Sequence, residues 1–197
     1  MPDAARDWTG GRWLNEPASW RREGSSLLVS TDPDTDFWRE THYGFVHDSG
    51  HALLFETTGD FTASVRVRAC YDHLYDQAGL MVRVDAQTWI KAGIEMSDGR
   101  LHLGSVLTAG RSDWATFPYE GNGEDIRLRV TVRAGTLRLQ ASADGLRWPL
   151  LRLCPFAASS TYEVGPMCCT PGRSGLAVRF DDFRLGPPSD KDLHDLS

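Results

Sequence analysis

The sequence predicts an all-β fold, a sandwich of two antiparallel sheets, and three observations carry that prediction. Apolar and polar residues alternate with a period of two along most of the chain. Turn signals separate the alternating runs: Asp98-Gly99, Gly121-Asn122-Gly123, Ala134-Gly135 and Asp144-Gly145. No long segment carries a convincing 3.6-residue period. Strands with one apolar face must bury it, and two sheets packed together satisfy that need; a closed barrel is the alternative. The absence of an internal repeat disfavours a propeller.

The strands follow in order. "FTASVRVRAC" places Phe61, Ala63, Val65, Val67 and Ala69 on one face, with Thr62, Ser64, Arg66 and Arg68 on the other. "AGLMVRV" sends Leu80, Val82 and Val84 to the core and leaves Met81 and Arg83 opposite. "QTWIKAGIEM" sends Ile90, Ala92, Ile94 and Met96 inward, with Trp89, Lys91, Gly93 and Glu95 outward. "IRLRVTVR" and "TLRLQASA" repeat the alternation. In "GLAVRFDDFRL" Leu176, Val178 and Phe180 share one parity and Phe183 and Leu185 the other, so one extra residue near Asp181 and Asp182 predicts a bulge. The organisation expected is an N-terminal extension over 1–12, one sandwich domain over 13–186, and a polar tail over 187–197 that leaves the sheet and frays.

The 197 residues suit a single domain, and 41% apolar content suffices for a core. A formal charge of −6 offers no electrostatic footprint for nucleic acid or an anionic membrane. No stretch approaches the roughly 18 apolar residues of a spanning helix. "MPDAARDWTGGRW" has no apolar centre, so no secretory leader is expected and the chain reads as cytoplasmic. Cys70, Cys154, Cys168 and Cys169 lack zinc-site spacing and read as reduced thiols. A vicinal Cys168–Cys169 disulfide is the alternative to two small residues in a late strand.

The outward face of the Met81–Arg83 and Trp89–Glu95 strands is the candidate site. If the two are hairpin neighbours, it holds an aromatic ring, two cations and a carboxylate, with Gly93 leaving a hollow. Aromatic rings cover the apolar faces of a sugar while amides and charges bond its hydroxyls. The expected ligand-binding residues are Trp89, Lys91, Glu95 and Arg83 on the face, and Tyr75, Asp76 and Gln77 at its rim. Trp38, with Asp36 and Arg39 beside it, leans over from "TDFWRETHYGF". Asp113 and Trp114, next to Ser112, do so from "RSDWATF". The plainer readings are core tryptophans, a solvated Lys91–Glu95 pair, and Asp76 as a turn cap.

Other motifs fall short. A glycosidase needs two carboxylates across one bond, and the Trp89–Glu95 strand offers Glu95 alone; no catalytic residue is assigned. His42, His47 and His51 match no strong metal signature. "DPDTDFWRETHY" starts like a calcium loop at Asp32, Asp34 and Asp36, but has Phe37 for the loop glycine and Tyr43 for the bidentate glutamate. An ordinary calcium loop is excluded and only a looser site stays open. No cofactor or metal is expected.

"TDFWRETHYGF", "DQAGLMVR", "WIKAGIE", "SDWA" and "GLAVRFDDFRL", in that order, resemble the family called regulation of enolase protein one, over roughly Trp13 to Leu185. The resemblance implies a concanavalin A-like jelly roll. The family includes bacterial proteins and a yeast member linked to control of enolase, and similar modules occur beside carbohydrate-active domains. It has no settled catalytic residues to carry over. Its recurring motifs match Asp36, Trp38, Asp76, Gln77, Trp89, Lys91, Glu95, Ser112, Asp113 and Trp114. The leading expectation is therefore a non-catalytic module for a carbohydrate or sugar-like metabolite. A carbohydrate hydrolase and a regulatory protein-interaction domain are the alternatives. A homodimer through open sheet edges is also expected to be accessible.

Overall fold

The structure, a computed structural model, describes residues 5–121 and 123–197. Asn122, in one of the expected turns, lies outside the described residues, as do residues 1–4 of the expected extension. The described residues form strands and turns without a helix. One seven-stranded sheet runs, in spatial order, β1 (Arg12–Leu14), β6 (His51–Thr58), β15 (Thr161–Cys169), β8 (Gln77–Asp85), β9 (Thr88–Ser97), β10 (Arg100–Ala109) and β11 (Arg111–Pro118). The second runs β14 (Leu150–Pro155), β13 (Thr136–Ser142), β12 (Ile126–Arg133), β7 (Phe61–Ala69), β16 (Ala177–Gly186), β3 (Ser26–Ser30) and β2 (Ser19–Glu23). β4 (Phe37–Arg39) and β5 (Val46–Asp48) form a separate hairpin. Neighbouring strands pair antiparallel throughout.

The core between the sheets is built by the predicted inward faces. Phe61, Ala63, Val65 and Val67 of β7, Ile126, Leu128, Val130 and Val132 of β12, and Leu80, Val82, Ile90, Ala92 and Ile94 of β8 and β9 are all buried there. Each fully buried Leu, Ile or Phe side chain contributes about 1.5–3 kcal/mol. Hairpins set the register. Asp98 and Gly99 both take positive φ (51° and 75°), as a two-residue type I′ turn requires, and Ser97 pairs with Arg100. The expected bulge in β16 is present: the register slips between Asp181 and Arg184, and Asp182 has φ 51°. The slip lets Phe180 and Phe183 both enter the core.

The chain ends depart from the expected organisation. Trp8 is 1% exposed, stacks on Phe183 at 5.7 Å, and donates its indole N–H to Ser25 O at 2.9 Å. Trp8, within the expected extension, is thus part of the core. The tail folds back on the second sheet: Arg138 donates to Lys191 O and Asp192 O at 3.0 and 3.1 Å, and the Trp148 amide to Leu196 O at 2.8 Å. All four cysteines are free thiols. Cys168 and Cys169 point to opposite faces of β15, one into the main core and one into the outer cluster. Among the described residues no helix is long and apolar enough to cross a membrane.

Candidate functional site

The outward face of the first sheet is a lattice whose rows cross the strands. One row holds Cys169, Gln77, Glu95 and His102 on β15, β8, β9 and β10. Two residues further along the strands, the next row holds Met167, Gly79, Gly93, Gly104 and Thr116. The third holds Met81, Lys91, Val106 and Trp114, and the fourth Arg83, Trp89, Thr108 and Ser112. Three adjacent glycines thus leave a trench between a polar row and a mixed one. The hollow expected at Gly93 is real, but the glycine is required by the backbone as well. A Cβ there would stand 2.1 Å from Ala78 O, and one at Gly79 would stand 1.8 Å from Ala92 O. Either side chain would force β8 and β9 apart.

The β4–β5 hairpin crosses part of this face and forms one wall. Beneath it lies a second apolar cluster of Phe37, Trp38, Ala52, Leu54, Met81, Trp89, Val106, Met167 and Cys169. Trp89 is 0% exposed and meets Phe37 edge-to-face at 6.0 Å. Polar ties hold the hairpin down, among them a bond from the Arg39 guanidinium to Gly110 O at 3.0 Å. Arg83 grips Asp48 through two bonds of 2.8 and 2.7 Å. The Asn15 amide donates to Asp48 O and Gly50 O at 2.7 and 2.9 Å. The Arg39 amide donates to Ser112 Oγ at 2.9 Å. A bidentate, largely buried pair such as Arg83–Asp48 is geometrically specific and costly to break on one side.

Between hairpin and sheet is a pocket of about 190 Å³ lined by Asp36, Trp38, Tyr43, Phe45, Tyr75, Gln77, Lys91, Glu95, Val106, Trp114 and Pro171. The trench adjoins it, sharing Gln77, Lys91, Glu95, Val106 and Trp114 and adding Gly93 and Gly104. The Trp38 and Trp114 rings stand at 89° with centroids 6.4 Å apart. Tyr43 meets Trp38 at 69° and stacks on Phe45 at 5.2 Å. Trp38 is held in place by its N–H bond to Thr41 O at 3.0 Å.

The pocket's floor is charged. Lys91, only 5% exposed, donates to Asp36 Oδ1 at 3.1 Å and to Gln77 Oε1 at 2.8 Å. Burial pulls the lysine pKa down, but the charges of Asp36 and Glu95 and the bond to Asp36 outweigh it, so the ammonium is held above its ordinary value. Asp36 also accepts the Phe37 amide at 2.7 Å. Glu95 makes no side-chain hydrogen bond or ion pair among the described residues. Burial pushes it up to about 7, against the pull of Lys91 and with a further push from Asp36. The Tyr75 hydroxyl is raised to about 12 by its hydrogen bond with Tyr43 and by burial. Burial holds the Cys169 thiol well above its usual range, so it is not a nucleophile here.

Six of the ten expected site residues therefore meet in one place: Trp38, Tyr75, Gln77, Lys91, Glu95 and Trp114. The other four are placed elsewhere. Trp89 and Arg83 support the hairpin from beneath. Asp76 is 0% exposed, accepts the Asp72 and His73 amides at 3.1 Å each, and receives a bidentate bond from Arg173 at 2.9 and 2.5 Å. It is a buried loop anchor, out of reach of a ligand. Asp113 points to the opposite side of β11 from Trp114, as strand alternation demands, and pairs with Arg152 at 2.7 Å. Lys91 pairs with Asp36 rather than in a solvated pair with Glu95. Asp32, Asp34 and Asp36 do not converge; the one metal-like group among the described residues is Asp72, His73 and Asp76, and the Arg173 guanidinium already bonds both aspartates. Tyr43, Phe45, Val106 and Pro171 were not anticipated. The aromatic density of "FWRETHYGF" was the available signal for the first two.

A two-sheet jelly roll with a ligand-sized pocket on the outer face of one sheet defines a concanavalin A-like sandwich. The chain belongs to the family described as "Protein of unknown function (DUF1349)", which matches residues 13–188. It is 57% identical over 187 residues to "Regulation of enolase protein 1" of Saccharomyces cerevisiae, covering 95% of this chain and 94% of that one. It is 26% identical over 113 residues to an uncharacterised protein of Emericella nidulans, covering 54% and 56% of the two chains. A crystal structure of a functionally unknown protein from Saccharomyces cerevisiae superposes with a TM-score of 0.92 at 54% identity, over 93% of this chain and 100% of that one. The GH43 BlXynB protein of Bacillus licheniformis matches with a TM-score of 0.70 at 18% identity, over 89% of this chain and 36% of that one, a likeness of fold alone.

Proposed function

We propose that the pocket between the β4–β5 hairpin and the first sheet binds a carbohydrate or a sugar-like metabolite without transforming it. The observation that carries this reading is the meeting of perpendicular aromatic walls, Trp38 and Trp114, with a hydrogen-bonding floor of Gln77, Lys91 and Glu95. Flat rings match the apolar faces of a pyranose, and the floor supplies both donors and acceptors for hydroxyls. Hydrolysis would need two carboxylates about 5–9.5 Å apart and free to act. Asp36, the acid beside Glu95, is engaged by Lys91 and the Phe37 amide. Titration calorimetry against a panel of sugars, sugar acids and sugar phosphates tests the reading. Saturable binding that Trp114→Ala abolishes in a folded protein supports it; a flat response across the panel overturns it.

The relative's name favours a second reading, a regulatory contact with a protein. Tyr43, Phe45 and Val46 are exposed on the hairpin at 48%, 40% and 48% and would supply its apolar centre. The chain's four free thiols fit a reducing, cytoplasmic setting. The open edges β11 and β14, with Phe117, Leu150 and Leu153 exposed, are where a homodimer would form by sheet extension. Sedimentation velocity over a concentration series tests this, and a single monomeric species throughout sinks it.

A further inference from the structure

We propose that the ligand of this pocket carries a protonated amine, held against the Glu95 carboxylate between the aromatic faces; this rests on the small-ligand reading above and names the chemical class. Five rings line one small pocket: Trp38, Tyr43, Phe45, Tyr75 and Trp114. Trp38 is crossed by Trp114 at 89° and by Tyr43 at 69°, while Phe45 stacks on Tyr43, so the space meets both faces and edges. Aromatic faces carry negative electrostatic potential and attract ammonium groups, most strongly where water is excluded.

The charge count points the same way. The pocket holds two carboxylates, Asp36 and Glu95, and one ammonium, Lys91. Lys91 is committed to Asp36 and Gln77. That leaves Glu95 with no hydrogen bond and no ion pair among the described residues, half-buried beside apolar rings. A half-buried carboxylate in that position has no bonded cation, and a ligand can bring one. An anionic ligand would instead meet two acids and a single lysine whose charge is already paired with Asp36.

The titratable groups that face Glu95 are Lys91 on its own strand, Asp36 before the hairpin, Tyr43 within it, Tyr75 before β8, His102 across the ladder on β10, and the Cys169 thiol in the same row on β15. Glu95 titrates at about 7, so the pocket gains its negative charge as pH rises through neutrality. Binding of a permanent cation then strengthens in the same direction.

The test uses three probes in titration calorimetry: tetramethylammonium chloride, glucosamine and glucose. Tetramethylammonium is expected to bind near about pH 8 and to weaken by about tenfold or more near about pH 5.5, as Glu95 takes up its proton. Glucosamine is expected to bind more tightly than glucose. Glu95→Gln, which keeps the shape and breaks no hydrogen bond, is expected to weaken both cations by about tenfold to a hundredfold. Trp114→Ala is the second variant and is expected to weaken tetramethylammonium as well. If glucose equals glucosamine and tetramethylammonium does not bind, the cation proposal falls and the sugar reading stands. If tetramethylammonium binds and neither sugar does, the cation proposal stands and the sugar reading falls. If no probe binds, the cation proposal is overturned.

Discussion

Glu95 and Asp76 show how environment sets the role of a carboxylate at the residue scale. Glu95 sits among rings with no bonded partner, and burial raises it to about 7. The folded state therefore holds this proton more tightly than the unfolded chain does. Its stabilising effect is complete below the ordinary glutamate range and is lost as pH rises through about 7. Glu95→Gln is expected to melt about 4–8 °C above the parent near about pH 8, with the gap closing below about pH 5. Equal melting temperatures at both pH values would show that Glu95 is not strained. Asp76 is the converse case, fully buried yet saturated by two amides and Arg173. Asp76→Ala leaves Arg173 with Asp72 alone and takes the acceptor from two amides, and is expected to cost about 2–3 kcal/mol in urea unfolding; a loss under about 1 kcal/mol would contradict the anchor role.

At the scale of the element, the β4–β5 hairpin is the part that turns a sheet face into a pocket. It has two short strands and rests on the cluster around Phe37 and Trp89, the Arg83–Asp48 pair and the Arg39–Ser112 bond. Arg83→Ala is expected to speed amide hydrogen exchange in residues 37–48 while leaving β7, β12 and β16 protected, since those strands hold the main core. Uniform deprotection would mean that the hairpin and sandwich open as one unit. Much of this element's partner surface was legible beforehand. The parity of "QTWIKAGIEM" correctly put Lys91 and Glu95 on the outer face and Ile90, Ala92 and Ile94 in the core. The same parity, applied to β11, separates Trp114 from Asp113, which a reading of both as site residues overlooked. Trp89 is a different matter. Alternation places it on the outer face, but whether that face is open or roofed depends on a hairpin some fifty residues away in the chain.

At the scale of the whole molecule, the ends matter more than their composition suggests. Trp8 precedes the first strand, yet its ring fills the core beside Phe183 and Phe55. Trp8→Ala is expected to cost about 3–5 kcal/mol, read as a shift of the urea midpoint at unchanged slope. An unchanged midpoint would return the segment to the status of an appendage. A lone tryptophan among polar residues carries no period to read, so its burial could not be inferred from pattern. The tail is similar: its backbone carbonyls at Lys191 and Asp192 bond Arg138 on the second sheet, an interaction with no side-chain signature in the tail itself.

The sequence by itself determined the class of fold, the inward and outward faces of β7, β8, β9, β12 and β13, the turns at Asp98-Gly99, Ala134-Gly135 and Asp144-Gly145, and the bulge in β16. These are local properties, because a two-residue period and a turn dipeptide express the preferences of neighbouring residues. Only the tertiary structure decided which outward residues meet. It brought Asp36 to Lys91, Arg83 to Asp48 and Arg173 to Asp76, and it separated the ten expected site residues into six that line a pocket, two that support the hairpin over it and two that lie elsewhere. Those pairings join chain segments far apart in sequence, and a carboxylate's alternation along its own strand says nothing about the partner that arrives from another.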